Sequence, residues 1–413
     1  MDLRLIRSRA EALLAWLDGP LDLAFPIAVG LLCLDQRTPA FLTLLVWLIF
    51  RLAQQAGRQP LAGVFLLLLG AQAGQFVLER DLQPSSASDP LVIALGCVAM
   101  LGRSPQQWVR TLRWIALSIV PLAIWAAGQD PALPLDPPVG GINRLGFLLG
   151  LLQLAAWASI WCSRTWWARL FFGGLVMAAI HLALHNGSRV ALFAPLLAFT
   201  LSMGLMLLLL RPGTGLSQLW IVLLRWRRSL LALLLTVCLC AGGVVIQRWY
   251  FSPSSAGEMN ALSDLGRVET ASCWARQPLK RGGEKLLLGL GYNQAVQARC
   301  TAKQVPSLRQ MQRPVGLPHA HHLFAQVFAE NGLLGLVSLV AVLSLLAWRL
   351  WFGLRLELRL GVCGLAFLYS LPLLLYLLMN GLVSSFQIFL MSNQLLIGVA
   401  LASLWPASER RPS

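Results

Sequence analysis

Long runs of Leu, Val, Ala and Trp, parted by short polar turns, set the pattern of this chain. A helix needs about 20 mostly apolar residues to cross a bilayer. Runs close to that length recur at 22–36, 39–55, 60–78, 88–102, 110–127, 143–163, 166–185, 190–210, 229–248, 333–352, 357–378 and 386–405. The pattern predicts an all-α polytopic membrane protein of about 12 transmembrane helices. Residues 1–248 hold the first nine, 249–332 form a long loop, and 333–413 hold the last three with a tail. The loop carries Trp249, Tyr250, Trp274 and the segment LLLGLGYN among its charges, so its composition predicts an ordered cap with short amphipathic helices.

Composition agrees with the pattern. Charged residues are 12% of the chain and hydrophobic ones 57%, whereas a soluble domain carries about 25% charged residues. A net charge of +16 would point to nucleic acid in a soluble protein. Here the basic residues sort by loop. With the N-terminus inside, most Lys and Arg fall on the termini and alternate loops, while the opposite short loops hold one each, at Arg37, Arg80, Arg144 and Arg189. This asymmetry predicts both termini in the cytoplasm and no nucleic-acid partner; the bilayer is the partner, and the basic loop LLRWRRS meets anionic headgroups. No cleavable signal peptide is read in MDLRLIRSRAEALLAWLDGP, so the first spans are expected to direct insertion. Six of the eight cysteines lie in apolar runs as small core residues; Cys273 and Cys300 stand in the exterior loop, where they can pair as a disulfide or remain two free thiols.

An ionisable residue at membrane depth costs roughly 3 kcal/mol on insertion scales, so the few exterior charges are informative. Arg189, in HNGSRVAL, sits at a sharp turn between two spans; Arg144, in GGINRLGF, opens the sixth; Arg267, in SDLGRVETASCW, enters the ordered part of the loop. Each has an ordinary reading as a snorkelling interfacial arginine. Converging on one surface, the three would suit a diphosphate, because the guanidinium fork binds phosphate oxygens bidentately and keeps its charge.

The stretch PHAHHLFAQVFAENGLLGLV gathers His319, His321 and His322 ahead of the tenth span. On a helical wheel His322, Gln326 and Glu330 form one polar stripe, and Leu323, Phe324, Val327 and Phe328 the apolar face opposite. Residues 321–330 are therefore expected to lie at the interface as an amphipathic helix, which Asn331-Gly332 ends before the span begins. His321 falls at the border of the two faces. The ordinary reading is a solvent-facing histidine cluster at a helix start. A metal is not expected, because HAHH lacks nearby carboxylate or cysteine partners.

These segments, in this order, resemble the bacterial O-antigen ligase and O-antigen polymerase superfamily. HHLFAQVFAENGLLG follows a long exterior loop, GSRVAL joins spans seven and eight, and GRVETASCW is followed by LGLGYN. The match runs from about residue 140 to 336, and the first spans agree only in hydropathy. The resemblance implies a metal-independent, cofactor-free glycosyltransferase of the GT-C type in the bacterial inner membrane. Such an enzyme moves a glycan from undecaprenyl diphosphate to a lipid A-core or other acceptor hydroxyl on the periplasmic side. It implies that His321 takes the place of the essential histidine, that Arg189 and Arg267 take the places of the diphosphate arginines, and, more loosely, Arg144 with them. His319, His322 and Glu330 are secondary candidates. The family more often carries Asn, Ser or Gln at the position of His322. A polymerase adding repeat units and a protein O-oligosaccharyltransferase share the same donor chemistry. A polysaccharide transporter, by contrast, would place paired ionisable residues near the middle of its spans.

Overall fold

The computed structural model describes residues 20–55, 84–129, 142–186, 189–209, 255–291, 300, 305–307, 320, 322–360, 364–383 and 391–404. Among them all regular structure is helical, with no strand. In chain order the helices are α1 (Ala24–Cys33), α2 (Arg37–Gln55), α3 (Pro84–Met100), α4 (Pro105–Leu117), α5 (Ile119–Ala127), α6 (Ile142–Trp161) and α7 (Trp166–His185). There follow α8 (Arg189–Leu209), α9 (Ser255–Arg281), α10 (Gly283–Leu288), α11 (Leu323–Leu360), α12 (Leu371–Val383) and α13 (Met391–Leu401).

Among the described residues five stretches are long and apolar enough to cross a membrane: Pro105–Ala127, Arg144–Trp161, Trp166–His185, Ala191–Leu209 and Leu323–Leu360. Shorter apolar helices run Ala24–Cys33, Ala366–Leu382 and Leu395–Leu404. The chain is an all-α membrane protein. The runs expected at 60–78 and 229–248 lie outside the described residues.

Local chemistry sets several of the boundaries. At the start of α4 the Ser104 hydroxyl accepts from the Gln107 N–H (3.3 Å), while the Gln107 side chain accepts from the Ser104 N–H (2.9 Å). This capping box, followed by Pro105, satisfies amide groups that a helix start leaves without partners. At the start of α7, exposed Trp166 and Trp167 form the aromatic anchor expected at a membrane–water boundary. The run expected at 357–378 begins later than hydropathy implies, because residues 357–360 continue α11. The Glu357 carboxylate accepts from the N–H groups of Ala366 (2.7 Å) and Phe367 (3.1 Å), which starts the next helix after Gly364. That helix enters through a π turn, Ala366–Ser370, where the Ser202 hydroxyl of α8 donates to the Phe367 carbonyl at 2.6 Å.

Two separate cores result. The large one joins α1–α8 with the spanning part of α11, α12 and α13. The small one gathers Trp274, Leu290, Cys300, Val305, Ala320, Ala325 and Ala329, all from the loop and the first turns of α11. Ala325 and Ala329 present no bulk, so α9 packs closely on that short helical segment.

The connections sort the helix ends onto two faces. α6, α7 and α8 are consecutive crossings with short connections, so α6 and α8, which pack together, start on the same face. Phe367 meets Ser202, which lies in the later half of α8, so the Glu357 end of α11 belongs to the opposite face. A helix rises about 1.5 Å per residue. The other end of α11, near Gly332, therefore lies toward the face on which α6 and α8 begin.

Candidate functional site

At Gly332 α11 is two helices, not one. Its φ of 62° and ψ of −157° break the helical path, separating residues 323–331 from the apolar run that follows. The end expected at Asn331-Gly332 is found there. The reason is visible in the neighbouring loop: Gly289, with φ 85°, crosses the chain at this point. A Cβ on Gly332 would lie 2.5 Å from the Gly289 nitrogen and from the Leu287 carbonyl, and one on Gly289 would collide with the Glu330 carbonyl. Both backbones need the left-handed region and the missing side chain at once. The stretch of chain after Gly289 is then held by Leu290 N–H donating to the Ala329 carbonyl (2.9 Å) and Gly291 N–H to the Glu330 carbonyl (3.0 Å).

The short helix before the kink opens at Leu323, two residues later than the wheel implies. Its start is capped by His322: Nδ1 accepts from the Ala325 N–H at 3.3 Å, and the His322 carbonyl accepts from the Gln326 N–H at 2.9 Å. A side-chain acceptor three residues ahead of an orphan amide is the job usually done by Asn or Ser. The imidazole at this position fills the same role, provided that Nδ1 carries no proton. Burial pushes the His322 pKa below its ordinary value, which favours that neutral form.

The polar stripe read from the sequence is a chain of hydrogen bonds. Gln326 Oε1 accepts from the Ala320 N–H at 2.7 Å, and Gln326 Nε2 donates to Glu330 Oε1. Glu330 and Asn331 are buried. Ala320 and His322 are thus each tied to the short helix, one through Gln326 and one through its own ring. His319 and His321 lie outside the described residues, and so does the Arg189 side chain; the Arg189 backbone opens α8.

Arg267 stands half-buried on α9, beside the face formed by Gly266, Thr270, Trp274 and Gln277 that packs on the small core. α9 is fixed in turn by Glu269, whose Oε2 accepts from the Ser307 N–H (3.0 Å) and hydroxyl (2.7 Å). Cys273 and Cys300 are joined in a disulfide, S–S 2.09 Å, with the Gln277 amide against both sulfurs. Arg144, half-buried in the first turn of α6, feels the charge of Arg37 at the start of α2, so these two arginines lie near one another. Arg144 and Arg189 open helices that begin on one face, and the Gly332 kink lies toward that face. Arg267 belongs to the unit packed above the kink. Among the described residues no three His, Cys, Asp or Glu side chains gather as a metal site.

Hydropathy passed over a second cluster on the opposite face. Asp22, fully buried, accepts from Arg51 Nη2 (2.6 Å), Arg103 Nη1 (3.2 Å), Thr111 Oγ1 (2.6 Å) and Trp47 Nε1 (3.1 Å). It ties the ends of α1 and α2 to the turn before α4. The group lies at helix ends, not at the middle of crossings. Comparison with protein-family models and with curated proteins finds no match to this chain.

Proposed function

We propose that this protein is a glycosyltransferase that moves a glycan from undecaprenyl diphosphate to an acceptor hydroxyl, a lipid A-core among the acceptors. We read it as a GT-C-type fold of about 12 spans, in the bacterial inner membrane. Both termini are in the cytoplasm and the reaction lies on the periplasmic face. The supporting observation is the pair of tethers on the residues that flank position 321. Ala320 is held by Gln326 and Glu330, and His322 caps the helix through its own Nδ1. The residue between them, His321, is the base. The Cys273–Cys300 disulfide favours an oxidising compartment for the same unit.

In this reading the imidazole of His321 takes the proton of the acceptor hydroxyl as its oxygen attacks the anomeric carbon. The bond from that carbon to the diphosphate oxygen breaks on the opposite side, so the centre inverts. The leaving lipid diphosphate carries away the electron pair, and its growing charge is met by Arg189 and Arg267, with Arg144 nearby. The cap on His322 supports this choice, because the Ala325 N–H occupies the Nδ1 lone pair that a base would use.

The test is transfer by the purified protein in lipid nanodiscs, given an undecaprenyl-diphosphate glycan and an acceptor panel of lipid A-core, repeat unit and peptide, in the presence of EDTA. Release of the lipid diphosphate coupled to one acceptor is expected, with His321→Ala lowering the rate by roughly 10²–10⁴-fold. No transfer to any acceptor overturns the reading. Normal transfer by His321→Ala overturns the choice of base.

A further inference from the structure

The exposed apolar residues of the small extramembrane unit carry an inference independent of any reaction. α10 ends in Leu287 and Leu288, which are 50% and 39% exposed, and its neighbours across the glycine crossing, Leu333 and Leu334, are 43% and 46% exposed. The crossing sets their relative height. With Gly289 packed on Glu330 and Gly332 packed on Leu287, the end of α10 stands level with the first turn of the spanning part of α11. That turn leads directly into Val337 and Val340, 59% and 48% exposed on the outer surface of a membrane-crossing helix. The leucines of α10 therefore extend the lipid-facing surface of α11 sideways, beyond the span itself. Just ahead of them the sequence LKRGGEKLLL places Lys280, Arg281 and Lys285, all exposed, against a single acid, Glu284. Apolar residues at the level where a span emerges, with basic residues beside them, match the layering of a bilayer surface, acyl chain below and phosphate above.

We propose that α10 docks on the bilayer, with Leu287 and Leu288 among the acyl chains at the headgroup boundary and Lys280, Arg281 and Lys285 on anionic phospholipid phosphates. The bilayer is continuous with the surface that α11 already presents to lipid, so the site needs no second protein to cover it. Docking would hold the α9–α10 unit at headgroup height, and the two glycines would make that height rigid.

The experiment places the photoreactive residue benzoylphenylalanine at Leu287, and as a control at Ser272, an exposed position on α9. Full-length protein is irradiated in nanodiscs made from equal parts of phosphatidylcholine and phosphatidylglycerol, and adducts are read by mass. Phospholipid adducts are expected at 287 and not at 272, with phosphatidylglycerol over-represented by at least about twofold relative to its share of the disc. Lys280→Gln, Arg281→Gln and Lys285→Gln together should return the adducts to the bulk composition while leaving their total yield in place. Absence of lipid adducts at 287, or adducts to a second protein copy instead, overturns the docking. Adducts at bulk composition in the unmodified basic background overturn the headgroup contact.

Discussion

The two faces of the molecule each bury a carboxylate, and they use it differently. Asp22 is enclosed by four donors from three separate parts of the chain, two of them guanidinium groups, and no atom of it reaches solvent. Glu330 is also buried, and it accepts from Gln326, one turn away on the same helix, whose side chain also accepts from the backbone at Ala320. One carboxylate welds distant helices together; the other takes part in a hydrogen-bond chain along the first turns of α11. A group that joins several elements serves the folding of the whole, whereas one bonded along its own helix serves local geometry, and under the proposed function that geometry bears on His321.

That contrast is broken most directly at Asp22. Removing the carboxylate that both guanidinium groups share should cost about 3–5 kcal/mol, the usual size for truncating one member of a buried ion pair. Asp22→Asn should therefore lower the thermal unfolding midpoint sharply and reduce the yield of folded protein from membranes. Replacing the ions together, as Asp22→Leu with Arg51→Met and Arg103→Met, should recover much of the loss. If Asp22→Asn unfolds like the parent protein, the cluster is not a weld and the contrast fails.

Much of this arrangement was legible in the sequence, and the remainder was hidden for identifiable reasons. The apolar runs marked the crossings near 143–163, 166–185 and 190–210 to within a few residues, because the bilayer imposes length directly on composition. Asn331-Gly332 announced the kink, since a glycine that readily adopts a positive φ commonly ends a helix, and Gly332 has that positive φ. Gly289 could not be recognised as its partner, because the crossing is a contact between segments more than forty residues apart. The stripe of His322, Gln326 and Glu330 was visible by periodicity; that Gln326 turns back to Ala320 was not. Asp22, Arg51 and Arg103 escaped notice because each lies near the end of an apolar run, where a charge ordinarily reaches water. For Arg189, His319 and His321 the sequence remains the source of the assignment.

The next test concerns the turn itself. Gln326→Leu keeps the bulk of the side chain but loses both the bond to Ala320 and the bond to Glu330. If this chain positions His321, transfer should fall by roughly tenfold, of order 1.4 kcal/mol for a displaced hydrogen-bonded group. The fall should appear in kcat with KM nearly unchanged, and the unfolding midpoint should move little. Glu330→Gln, whose side-chain oxygen can still accept from an intact Gln326, should retain most of the activity. A fall in KM and kcat together with a lowered midpoint would instead make the pair a folding element like Asp22, and erase the difference between the two faces.

The smallest effect belongs to His322 and is a dependence on pH. The ring caps α11 through Nδ1, which accepts only when it is unprotonated, and burial holds the pKa below the ordinary histidine value. Above that ordinary value the ring is neutral in both folded and unfolded chains, and the cap's contribution is complete. As pH falls through the lowered folded-state value, the unfolded chain has already bound its proton while the native ring must give up the cap to bind one. The contribution is lost over that window. Hydrogen-exchange protection of the Ala325 amide should decline as the protein is acidified below the histidine range, while protection inside α6 stays level. His322→Asn supplies a cap that does not titrate, so it should keep the protection and abolish its pH dependence. Persistence of the decline in His322→Asn would move the titrating group elsewhere, and the neighbouring His321 would be the first to examine.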